Sequence, residues 1–121
     1  NYEAGVSDYG WAGDGFYENG TRNLTGDAAD SEMEIKAQSA TGWGSDTSED
    51  FGGFVLVHGP GAAKFTRLQW SFTGEHSGGQ VMNLSGAGAR LSAADVDAIR
   101  FLFSTGNLES GVIRMYGIRG S

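Results

Sequence analysis

Large apolar residues in this chain recur at every second position, in runs too short for a helix. Between Lys64 and Thr73, Thr66, Leu68, Trp70 and Phe72 fall on one side, and Phe65, Arg67, Gln69 and Ser71 on the other. A period of two is that of a strand half buried against a core; a helix face repeats every three or four residues. Met33, Ile35 and Ala37 alternate in the same way with Glu32, Glu34, Lys36 and Gln38. Phe51 to His58 is a nearly continuous apolar run, as in a buried strand.

Glycine punctuates these runs. The chain has 21 glycines and a single proline, Pro60, without a G-X-Y period. That combination predicts tight turns, bulges and close backbone approaches rather than collagen or a linker. Shorter strands are expected at 7–12, where Tyr9 and Trp11 share a face, and at 80–85, followed by a flexible Gly86–Ala89. Loops are expected through Asp14-Gly15, from Thr21 to Asp30, from Thr41 to Asp50 and from Glu75 to Gly79. Ser92 to Asp95 resembles a capping box. The residues after it are β-branched and aromatic, so no more than one helical turn is expected at 92–97.

The C-terminal residues complete the pattern. Ala98–Phe103 alternates apolar groups, Ser104–Ser110 is dense in turn formers, and Gly111–Ile118 alternates again. About seven short strands, regular turn signals and no long helical period predict an all-β fold. The expected form is one domain over 1–121, an antiparallel β-sandwich, jelly-roll-like, closed by a C-terminal hairpin. The chain begins with Asn rather than Met, so residue 1 is not expected to be the gene start.

Charge and composition remove several classes of function. The formal net charge is −7 and the eight basic residues are scattered, which disfavours binding to nucleic acid or an anionic membrane. No apolar run approaches the length of a membrane-spanning helix. With no cysteine, disulfides and thiolate metal sites are excluded.

Catalytic spacing is sparse. His58 and His76 are the only imidazoles, and no G-x-S-x-G elbow accompanies them. Both read as surface or strand-end histidines. Loop carboxylates are more numerous, and a suitably spaced pair would serve glycoside hydrolysis. Asp46-Thr-Ser-Glu-Asp50 loosely resembles a calcium loop, making Asp46 and Asp50 the metal-ligand candidates. Trp43, alone in a polar loop, is the best anchor for a ligand or partner, with Tyr17 and Trp11 as further stacking rings. Asn23-Leu-Thr25 and Asn83-Leu-Ser85 match glycosylation sequons, which matter only on a eukaryotic secretory route.

The phrase Asp97-Ala-Ile-Arg-Phe-Leu-Phe-Ser-Thr-Gly-Asn-Leu-Glu-Ser-Gly-Val-Ile-Arg-Met-Tyr-Gly-Ile118 resembles the C-terminus of a family of tailed-bacteriophage virion proteins. In that family a similar phrase ends a β-sandwich domain on tail-fibre and accessory structural proteins. A vaguer likeness covers Ser7–Trp11 and Asp30–Ile35. The resemblance implies a structural or adhesion component without catalytic residues, located on the virion as a tail fibre, tail tip or capsid decoration. It further implies strands upstream of residue 1 and, as partners, other virion proteins, a host surface glycan and further copies of the chain in a homotrimer. The alternative from the residues alone is a carbohydrate-binding module of a secreted protein, using Trp43 and Tyr17 with a loop calcium ion. No other cofactor is expected.

Overall fold

The structure is a computed structural model that describes residues 7–36, 43–44, 46–61, 63–76, 78–103 and 110–118. Its five strands are β1 (Tyr9–Tyr17), β2 (Arg22–Asp30), β3 (Phe51–His58), β4 (Arg67–Glu75) and β5 (Val81–Arg90). All neighbours are antiparallel, and the single sheet has the order β2-β1-β5-β4-β3. No helix forms among the described residues, including 92–97.

Two expected loops and one expected strand change identity: Asp14-Gly15 continues β1 rather than ending it. Arg22–Asp30, expected as loop, is an edge strand. The turn before it explains the pairing. Gly20 takes a φ of 83°, Asn19 Oδ1 accepts the Thr21 N–H at 2.9 Å, and the Tyr17 N–H donates to the Thr21 carbonyl at 3.0 Å. An Asn-Gly pair at a tight turn is a strong hairpin signal, because glycine enters the left-handed region without steric cost. Opposite Tyr9–Trp11, β2 spans Asp27–Asp30, one residue more, so β2 carries a bulge beside Gly10. Conversely, residues 33–36 carry no strand, and Ala37 and Gln38 lie outside the described residues.

One face of the sheet holds the core. Pairing aligns Trp11, Gly13, Gly15 and Tyr17 of β1 with Gly88, Gly86, Leu84 and Met82 of β5. The same face continues through Leu68, Trp70, Phe72 and Gly74 of β4 to Val57, Val55, Gly53 and Phe51 of β3. Trp11, Tyr17, Trp70, Met82 and Leu84 are buried. Gly86–Ala89, expected as flexible, is the C-terminal half of β5, and its glycines are seats for large side chains. A Cβ on Gly86 would stand 2.6 Å from Trp70 Cζ2, and one on Gly88 would collide with Met33 Sδ.

The second layer is irregular chain. β2 and β3 occupy opposite edges, four strand spacings or roughly 19 Å apart. The described residues of the connection between them, 31–36 and 43–44, supply side chains that lie over the core face. Met33 lies over Gly88, Lys36 over the Trp11 ring, and Ile35 and Trp43 against Tyr17, Met82 and Leu84. A second sheet, which a sandwich or jelly roll requires, is absent among the described residues.

The expected closing hairpin is also not formed as strands. Residues 98–103 and 111–118 have no ladder pairing, and the turn 104–109 lies outside the described residues. The first arm is nevertheless placed. The Val96 N–H donates to the Pro60 carbonyl at 2.7 Å, and Phe103 meets Phe51 edge to face at 5.8 Å. These contacts lie at opposite ends of β3, so 96–103 runs past β3 in the antiparallel sense.

Candidate functional site

Trp43 sits at the corner where the connection from β2 reaches β3. It forms an isolated antiparallel bridge with His76, and Gly44 N–H donates to the Glu75 carbonyl at 2.8 Å. Its indole stacks on Phe51 at 4.7 Å and meets Phe72 edge to face at 6.4 Å. With Phe103 against Phe51, four rings from four parts of the chain, the connection, β3, β4 and the C-terminal segment, form one aromatic corner. Such ring pairs favour offset and edge-to-face contact, and they bring the loop, β3 and the C-terminal segment together. Trp43 is half-buried here, so its polar sequence surroundings do not leave it standing free in solvent.

Tyr17 and Trp11, the other two stacking candidates, are core rings. Tyr17 is buried with Met82 and Leu84 and meets His76 edge to face at 5.5 Å. Trp11 is 6% exposed, its indole N–H donates to Asp30 Oδ2 at 3.1 Å, and Lys36 Nζ lies 5.6 Å from its ring centroid. That corrects their expected role as stacking rings for a ligand: both lie in β1 on its core-facing side.

His76 is likewise buried rather than on the surface. Its Nδ1 accepts the Gly78 N–H at 2.8 Å, which places the ring proton on Nε2, 2.9 Å from Gln80 Oε1. The imidazole thus staples the β4–β5 turn from within, where Gly79 has a φ of 74°. His58 is exposed at the end of β3, opposite Arg67.

The proposed calcium ligands form part of a turn. Asp46 N–H donates to Glu49 Oε2 at 2.9 Å, and its carbonyl accepts the Glu49 N–H at 2.8 Å. Asp50 N–H donates to Glu75 Oε2 at 3.2 Å. Among the described residues no three His, Asp or Glu side chains come together as a metal-holding group. The exposed Arg22–Asp14 pair has contacts from 2.7 to 3.2 Å and lies beside Phe16, 5.1 Å from its ring centroid. Hydrogen bonding to Asp14 and its charge raise the guanidinium pKa.

The middle of the sheet's other face carries small residues, Ala12, Ser85, Ala87 and Ala89. A shallow, open depression there is bordered by Ala12, Ala87 and Ala89, with His58, Arg67 and Gln69 at its rim. Such a hollow lacks the depth of an enclosed small-molecule site.

Among the described residues, the most exposed large apolar side chains lie in the C-terminal segment. Val112 and Ile113 are each 72% exposed, Met115 94%, Tyr116 78% and Ile118 87%. The alternation of this stretch is that of an ordinary core strand, so pattern alone does not reveal its exposure. No described helix is long and apolar enough to cross a membrane. Comparison with models of protein families, with curated proteins and with solved structures finds no match in any of the three.

Proposed function

We propose that this chain is a non-enzymatic structural or adhesion component of a phage-type particle, working by multivalent contact at the particle surface. The observation that carries the reading is the run of exposed apolar side chains from Val112 to Ile118. Val112, Ile113, Met115, Tyr116 and Ile118 are more exposed than single scattered surface apolar residues would need to be, which supports an interaction role for this segment. Its wording is also the part of the chain that resembles the virion proteins. A repeated weak contact gains strength through multiplicity, which suits a domain displayed in many copies.

The sugar-binding alternative draws no support from the aromatic residues first considered for it. Trp43 stacks on Phe51, while Tyr17 and Trp11 are buried. Calorimetry with candidate glycans, with and without chelator, is expected to give no heat.

The test is retention. Purified chain mixed with phage particles or host cells is expected to sediment with one of them and to survive a mild salt wash. Failure to be retained by either overturns the reading.

A further inference from the structure

We propose that Gly111–Ile118 of one copy adds as a strand to the outer edge of β2 in a second copy of this chain. The inference stands apart from the particle reading, since it concerns only copies of the chain.

The segment has the pattern of a strand without a ladder. Val112, Arg114, Tyr116 and Ile118 alternate with Ile113 and Met115, and no residue from 111 to 118 is paired in the sheet. An added strand would gain main-chain hydrogen bonds along an open edge and cover apolar side chains at the same time.

The sheet has two edges. Residues 96–103 run past β3, whereas the outer edge of β2 has no neighbour among the described strands. β2 is regular from Arg22 to Asp27, six residues, before its bulge.

Charge selects the same pairing. Residues 98–121 contain three of the eight basic residues and one of the fifteen acidic ones, a net charge of +2. Residues 1–97 carry the remaining five and fourteen, a net charge of −9. On β2 the only basic residue, Arg22, is paired with Asp14, while Asp27 and Asp30 lie towards its end. Two such segments paired symmetrically with each other would instead bring their Arg114 side chains close, a like-charge contact.

An antiparallel register with Arg114 beside Asp27 sets Tyr116 opposite Thr25 and Ile118 opposite Asn23. This extends the face that holds Trp11. Met115 and Gly117 then fall beside Gly26 and Leu24, whose side chain is 71% exposed. Donor and acceptor surfaces differ, so the contact is head-to-tail and generates a closed ring or a filament.

The chain has no cysteine, which makes a crosslink unambiguous. Thr25→Cys and Tyr116→Cys chains, mixed and oxidised, are expected to form a covalent dimer beyond what either yields alone. The unmodified chain is expected to sediment as an oligomer at micromolar concentration, and deletion of residues 111–121 to leave a monomer. Should the shortened chain unfold, the crosslink decides. A monomeric parent chain overturns the proposal. So does a doubly substituted chain that closes its disulfide within itself.

Discussion

The indole N–H of Trp11 donates to Asp30 Oδ2 at 3.1 Å and joins β1 to β2 across the bulge. The bond ties a core ring to an edge carboxylate 19 residues away. The Trp11 bond, followed by the Ser31 N–H, holds the Asp30 carboxyl below its ordinary pKa, while burial opposes the shift.

That shift makes the end of β2 acid-sensitive. A carboxyl lowered in the folded state stabilises the fold fully above its unfolded pKa, near 3.9. The contribution is lost as pH falls through the lower folded value. Asp30→Asn is therefore expected to lower the melting temperature near neutrality, where the contribution is full, to change it little at the acid end, and so to flatten the acid limb. Thermal melts of both chains across the acid range test this, and equally steep acid limbs would refute it.

Gly86→Ala tests the seat beneath Trp70. The new Cβ would meet Ala12 O and Trp70 Cζ2, each at 2.6 Å, one of them backbone. Overpacking of this kind costs about 1–3 kcal/mol. Gly52→Ala, where no atom lies within 4 Å, should stay within about 0.5 kcal/mol of the parent. Urea denaturation midpoints of the two variants provide the comparison.

Gly20→Ala separates backbone strain from packing, because nothing lies within 4 Å of the would-be Cβ and φ is +83°. A non-glycine residue in the left-handed region costs roughly 1–2 kcal/mol. Gly20→Asn is expected to cost less, since Asn visits that region more readily. Equal denaturation midpoints for Ala and Asn would show that the turn does not impose this conformation in solution.

His76→Phe keeps a ring against Tyr17 and removes both polar contacts of the imidazole. Losing partners for Gly78 N–H and Gln80 Oε1 should destabilise the chain by about 1–3 kcal/mol. Faster amide exchange should appear at Gly78 and Gly79 first. Unchanged exchange there would mean that the imidazole does not hold the turn.

Legibility followed the strength of the local pattern. Phe51–His58 was found with its ends correct, and the alternation of Thr66, Leu68, Trp70 and Phe72 matched the core face of β4. β2 was missed because RNLTGDAAD has one large apolar residue; an edge strand needs no apolar face when its backbone pairs with a neighbour. The Asn19-Gly20 turn was the available signal. Met33–Lys36 failed in the opposite direction, since alternation only says that every second side chain is covered. Met33 and Ile35 are covered by lying across the sheet rather than within it. For Trp43, Tyr17 and Trp11, local polarity pointed to exposure, but contacts with residues of other elements, among them Phe72 on Trp43 and Met82 beside Tyr17, cover Trp43 and Tyr17.

Sequence alone determined that the protein is all-β, with antiparallel strands and glycine-rich turns, because period-two burial and turn chemistry are local properties. The tertiary structure decided that the described strands form one sheet rather than two. It also decided that Met33, Ile35, Lys36 and Trp43, from the connection between opposite edges, cover the core face, and that residues 112–118 meet solvent. These outcomes depend on which strands become neighbours. Strand order arises from contacts between residues far apart in the chain, and alternation within any one segment carries no record of it.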